Sequence, residues 1–122
     1  MGKSTPHRFY VIVAHGSREP RSNRAFLQMV GRLKTSIRAK SMTGAFLELA
    51  EPRIPEALEK AAGSGAREIV VVPLMLFPGR HAVKDIPALV RAAAARHKGV
   101  RFRLKKSLAL HSRFLGFLKE VL

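Results

Sequence analysis

Four apolar runs alternate with four amphipathic ones along this chain, an order that predicts an α/β protein. The expected architecture is a three-layer, flavodoxin-like module. A four-stranded parallel sheet of order 2-1-3-4 carries helices on both faces. Two observations support this. Phe9 to Ala14 and Ile69 to Phe77 are apolar throughout, as suits parallel strands covered on both sides. The segments between the runs carry helical spacing, so each crossover returns the chain to a parallel neighbour with right-handed connection. The first and third strands then lie side by side and wind to opposite sides. Ligands bind in the crevice between the carboxyl ends of such strands.

The elements follow in order. Phe9 to Ala14 is the first strand, Gly44 to Leu49 the second and Ile69 to Phe77 the third. Val100 to Leu104 is a weaker, edge-like fourth. Phe26, Met29, Val30, Leu33 and Ile37 mark one face of a first helix, from Arg21 to Ala39. Ile54, Ala57, Leu58, Ala61 and Ala62 mark a second. Pro55 suits its first turn, and Gly63 or Gly65 its end. Ile86, Leu89, Val90 and Ala93 mark a third, with Asp85 as N-cap and Pro87 just inside. Phe114, Leu115, Leu118 and Val121 mark a last one. No linker, internal repeat or low-complexity run divides the 122 residues, so 1–122 is expected to be one domain.

Charge narrows the partner. Lys and Arg number 23 against 8 Asp and Glu, a net charge of +15, which points to an anionic ligand. Trp is absent and Tyr occurs once, a poor supply of stacking surface for single-stranded nucleic acid. The chain has no Cys, which excludes disulfides, thiolate metal sites and Cys nucleophiles. No signal-like or membrane-spanning apolar run is evident, so a cytoplasmic address away from membranes is expected.

The chemistry concentrates in two histidines. His15 follows the first strand in Ala14-His15-Gly16-Ser17-Arg18-Glu19-Pro20, and His81 follows the third in Phe77-Pro78-Gly79-Arg80-His81. Each alone reads equally as a loop histidine bonded to backbone. The topology brings them together independently, at the switch point. Neutral imidazole binds Co, Ni, Fe and Zn, and also accepts protons. Ser17 with His15 as base is a weaker alternative, since no third triad member or Gly-x-Ser-x-Gly elbow is present. His7 and His97 read as solvated, and His111 as a minor candidate. Glu48, a rare acid at an apolar strand end, either pairs structurally with an arginine or assists metal and proton handling. Arg18, Arg21, Arg53, Arg80 and Lys84 fall in carboxyl-end loops or first helical turns. Singly they read as solvated charge; together they form a cationic rim. Leu74 to Phe77 offer an apolar wall, although core packing accounts for most of that run.

Three stretches match a known family: Ala14 to Arg21; Ala45 to Pro52 with Ile54 to Leu58; and Val72 to His81 with Asp85-Ile86-Pro87. On these the chain resembles the short-form sirohydrochlorin cobaltochelatases of the CbiX type, within the class II tetrapyrrole chelatases. The resemblance implies a chelatase-like half-module and an ATP-independent lyase activity. The reaction would insert Co²⁺, or alternatively Fe²⁺ or Ni²⁺, into sirohydrochlorin for cobalamin or a related tetrapyrrole. The metal would be a substrate, and no further cofactor is implied. The family's metal-binding and catalytic histidines fall on His15 and His81, and a glutamate near the metal falls on Glu48. Ser17 joins Arg18, Arg21, Arg53, Arg80 and Lys84 as candidate contacts to the polycarboxylate ring. Longer relatives hold two such modules, so a homodimer is implied. A non-catalytic metal or tetrapyrrole carrier is one competing reading. A basic nucleic-acid-binding domain is another, which charge alone would favour and the histidines do not.

Overall fold

β1 (Arg8–Ala14) is the strand on which the others assemble. In the computed structural model, which describes residues 7–122, it pairs in parallel with β2 (Ser41–Phe46) and with β3 (Glu68–Pro73). β3 pairs in parallel with β4 (Arg101–Leu104), giving the order β2-β1-β3-β4 that the sequence predicts. α1 (Pro20–Ser36), α2 (Ile54–Ala62) and α3 (Arg80–Arg96) alternate with the strands. A 3₁₀ turn, Leu108–Leu110, and α4 (Ser112–Val121) follow.

The strand period sorts the core into two layers. Phe9, Val11 and Val13 of β1 join Ile69 and Val71 of β3 beneath Ile54, Leu58, Ile86 and Val90 of α2 and α3. Ile12 faces the other way, with Met42, Val30 and the partly buried Phe26 and Leu33 of α1. Gly44 lets α1 sit close: a Cβ there would lie 2.8 Å from side-chain atoms of both Phe26 and Leu27. α4 buries no residue.

Several boundaries move from their sequence-based positions, each for a physical reason. β2 runs from Ser41 to Phe46 rather than from Gly44 to Leu49, because its partner residues Phe9 to Ala14 fix the register. Beyond Phe46 the chain folds back, and the Phe46 N–H donates to the Pro52 carbonyl at 2.8 Å. β3 ends at Pro73, not Phe77. α3 starts at Arg80 with Gly79 as N-cap, so Asp85 is not its cap, and Pro87 lies well inside the helix. Pro87 forfeits one backbone bond. The buried Ala82, Ile86, Val90 and Ala93 hold the helix through it. His7 and His97 are not simply solvated: His7 Nε2 lies 2.9 Å from Ser41 Oγ, and His97 Nε2 3.0 Å from Glu59 Oε1.

Two carboxylates tie elements together. Glu68 is buried at the start of β3 and faces Arg8, Arg103 and Arg101. A buried charge requires such partners. Glu59 of α2 accepts from Arg96 and His97 at the end of α3. The Arg96 bond chiefly, then that from His97, holds the Glu59 carboxyl below the usual carboxylate range. A lowered folded-state pKa contributes stability above the unfolded pKa and loses it as pH falls through the folded one. Glu59→Gln should therefore lower the melting temperature slightly at neutral pH, the pair being solvent-exposed. The difference should vanish in acid, below the folded pKa. Thermal melts of both proteins across that range check this; a gap that persists in acid would remove the ion pair as its cause.

Candidate active site

The β1–β2 ladder does not stop where the strands do. Leu47 N donates to the Ala14 carbonyl at 2.9 Å, and Glu48 N to the His15 carbonyl at 3.0 Å. These bonds carry Glu48 alongside His15. Gly16 permits the approach. Its φ is +98°, and a Cβ there would stand 1.8 Å from the Glu48 carbonyl oxygen. No side chain fits, and the obstacle is backbone, which cannot turn aside. Across from it, Leu49 also takes the left-handed conformation, at φ +68°. This conformation is costly for a non-glycine residue and recurs at functional loops.

The side chains then meet. His15 Nε2 and Glu48 Oε1 are 2.8 Å apart, each side chain about half exposed, at 55% and 50%. The carboxylate only accepts, so Nε2–H donates and the lone pair of neutral His15 is on Nδ1. A carboxylate behind an imidazole fixes tautomer and orientation in this way at metal sites. His15, Glu48, His81, Asp85, Arg53 and Leu47 line one cleft of about 250 Å³. Topology and local structure place each of them: His15 after β1, Leu47 and Glu48 after β2, Arg53 at the N-cap of α2, His81 and Asp85 in the first turns of α3. Among the described residues, no three His, Cys, Asp or Glu side chains stand together as a complete metal cage.

The structure thus joins His15, Glu48, His81 and Arg53, which the sequence singles out separately. Glu48 pairs with His15 rather than with an arginine. Arg18, Arg21, Arg80 and Lys84 are exposed in the loop before α1 or on the first turns of α1 and α3, outside the cleft lining. Ser17 serves its own loop. Its hydroxyl accepts from Glu19 N, its N–H donates to Asn23 Oδ1, and its carbonyl accepts from Asn23 Nδ2. His111 Nε2 sits 3.0 Å from the Lys106 carbonyl and does not line the cleft. Asp85 is the residue that sequence reasoning misplaces. His81 and Asp85 are four apart, one helical turn on one face, a signal legible only once α3 begins at Arg80. Of the apolar wall, Leu74 and Met75 pack against the core, whereas Leu76 is half exposed and Phe77 is 82% exposed.

The chain belongs to the CbiX family, whose model matches residues 9–122. It is 36% identical over 110 residues to the chloroplastic sirohydrochlorin ferrochelatase of Arabidopsis thaliana, covering 90% of this chain and 49% of that protein. It is 35% identical over 88 residues to the sirohydrochlorin cobaltochelatase of Methanocaldococcus jannaschii, covering 72% and 62%. The chain therefore spans about half to three-fifths of the length of these relatives. Among solved structures, a putative cobalamin biosynthesis CbiX protein from Marinobacter aquaeolei superposes with a TM-score of 0.76 at 32% identity, over 93% of this chain and 92% of that one. The sirohydrochlorin chelatase SirB of Bacillus subtilis subspecies spizizenii, in complex with cobalt, gives 0.81 at 29% identity, over 93% and 48%. The family's fold accords with the parallel sheet and its order.

Gly16→Ala tests the ladder extension. The substitution forces either the Glu48 backbone or the His15 loop to move. It should destabilise by more than about 1 kcal/mol, since alanine disfavours positive φ as well. Chemical denaturation measures the loss, and NMR of the His15 imidazole should show the Glu48 contact broken. An unaltered imidazole signal would mean the close approach does not position the pair.

Proposed function

We propose that this chain is a sirohydrochlorin chelatase module that inserts a divalent metal, with Co²⁺ as the assigned metal, into the tetrapyrrole without nucleotide hydrolysis. The observation that carries this reading is the cleft shared by His15, Glu48 and His81. Family membership and relatives named for both cobalt and iron insertion support the reaction class. Co²⁺ draws its support from the cobaltochelatases among the relatives and from the cobalt complex of SirB.

The roles follow from the side chains. His15 and His81 take the incoming metal as neutral imidazoles, and as it passes to the ring nitrogens the freed imidazole lone pairs accept the two displaced pyrrole protons. Glu48 holds His15 oriented. Glu48 and Asp85 also answer an electrostatic problem, because a chain of net charge +15 repels divalent cations. Charges beyond about 8–10 Å are screened by salt, whereas a carboxylate at ligand range is not. The carboxylates of Glu48 and Asp85 therefore offset positive charge within the cleft, whose lining also includes Arg53. Arg53 in the cleft, with Arg18, Arg21, Arg80 and Lys84 around it, takes ring carboxylates. Leu76 and Phe77 give the flat macrocycle an apolar face beside His81.

His15→Ala and His81→Ala should each lower metal insertion by at least about 100-fold, the lower end of the range for a lost general acid–base group. Far-ultraviolet circular dichroism should stay native. The assay mixes purified chain, sirohydrochlorin and Co²⁺, Fe²⁺ or Ni²⁺ and follows the tetrapyrrole absorbance. Insertion at the parent rate in both variants would exclude the pair, and faster insertion of Fe²⁺ or Ni²⁺ would reassign the metal.

The same reading includes a second copy of the chain, because one small module supplies one wall for a large ring. This chain aligns with 48% of SirB, so a ring in that protein has a second half-length of chain available. A C₂ pair is the commonest way for one chain to supply two walls. α4 is the surface suited to pairing: Leu115, Phe117, Leu118 and Val121 are exposed and apolar. Sedimentation equilibrium should show a dimer that Phe117→Asp with Leu118→Asp dissociates. An active monomer at assay concentration would reject this assignment.

A further inference from the structure

The end of the sheet opposite the cleft carries a second concentration of positive charge. In sheet order, β2, β1, β3 and β4 begin there with Ser41, Arg8, Glu68 and Arg101. A cavity of about 280 Å³ opens beside β1, lined by His7, Arg8, Tyr10, Arg38 and Lys40 with Ile37 and Ala39. None of these residues lines the chelation cleft.

The cations are not matched by local carboxylates. Glu68 is shared by Arg8 at 3.0 Å, Arg103 at 3.5 Å and Arg101 at 3.9 Å, three cations on one acid. Among the described residues, no carboxylate forms an ion pair with Arg38 or Lys40. Residues 1–6 contain no Asp or Glu that could do so.

The second observation is the backbone of Arg38. α1 ends with Ile37 as C-cap; Ala39 N donates to the Lys34 carbonyl and Arg38 N to the Thr35 carbonyl. These two bonds define a Schellman ending, whose left-handed residue is usually glycine. Here it is Arg38, at φ +54°. A cation near a helix C-terminus is favourable, but Lys34 already supplies one in the last turn. Helix termination therefore does not account for an arginine in a conformation that suits glycine.

We propose that this cavity is a second anion site, built for clustered phosphate groups. A phosphate offers several acceptor oxygens and up to two charges, which suits Arg8, Arg38 and Lys40 converging with the imidazole of His7 and the hydroxyl of Tyr10. Lys40, immediately before β2, and Arg8 of the adjacent β1 extend the charge across two neighbouring strands, spaced about 4.8 Å apart, which suits more than one phosphate. The phosphates belong either to a free polyphosphate or to a nucleic-acid backbone.

Isothermal titration of the full chain with tripolyphosphate, and separately with a short DNA duplex, tests the site at two salt concentrations. The diagnostic variants are Arg38→Gly and Lys40→Ala. Arg38→Gly removes the charge and the unfavourable conformation together, so its melting temperature should be at least that of the parent. Its affinity for the bound probe should nevertheless fall by about tenfold, as for one lost charge-assisted bond. Lys40→Ala should act in the same direction, and Arg53→Ala should leave this affinity unchanged. Binding of tripolyphosphate alone identifies a free ligand; binding of the duplex with a steep salt dependence identifies a nucleic-acid backbone. If neither probe binds at low salt, or if Arg38→Gly and Lys40→Ala leave affinity intact, the site is overturned.

Discussion

The site depends on one close contact between two segments of backbone. β1 and β2 remain hydrogen-bonded past their last strand residues, through Leu47 to Ala14 and Glu48 to His15. That extension is sterically possible only because Gly16 has no side chain against the Glu48 carbonyl. The His15–Glu48 hydrogen bond is thus not a chance meeting of two flexible surface groups. An exposed pair of that kind contributes little to stability by itself, about 0–1 kcal/mol. Its worth lies in orientation, which the two backbone bonds beneath it provide.

Core and site are joined by the same strands. The fully buried Val11, Val13, Ile69 and Val71 fix β1 against β3, and the carboxyl ends of these strands lead into the loops of His15 and His81. α2 and α3 cover one face and present Arg53 and His81 with Asp85 from their first turns. The first turns of α2 and α3 therefore border the cleft, where backbone N–H groups favour negative charge. The opposite pole holds the helix ends, Glu68 and its three arginines. Charge is high at both ends, and at one of them the carboxylates of Glu48 and Asp85 line a cleft together with two histidines.

Much of the fold was legible in the chain itself. The uninterrupted apolar runs of β1 and β3 announced a parallel sheet, the helical spacing between them gave the alternation, and the order 2-1-3-4 is the simplest flavodoxin-like layout for it. His15 and His81 were legible as a pair because topology, rather than proximity in sequence, brings strand ends together. The basic excess was plain from composition alone. The family's motifs, from Ala14 to Pro87, span the strand ends, the loops that follow them and the first turns of the helices at the carboxyl end of the sheet.

Tertiary structure decided the rest, because the remaining choices rest on contacts between segments far apart in the chain. The register with β1 set the start and end of β2, against an apolar pattern that favoured a later strand. Packing carried α3 back to Arg80 and through Pro87, which moved Asp85 from helix cap to cleft wall. Glu48 could have met an arginine; the extended ladder gave it to His15. Ser17 could have met His15; a local loop bonded to Asn23 took it instead. Local sequence thus determined which residues are candidates for chemistry and at which end of the sheet they lie. Only packing and backbone pairing determined which of them touch.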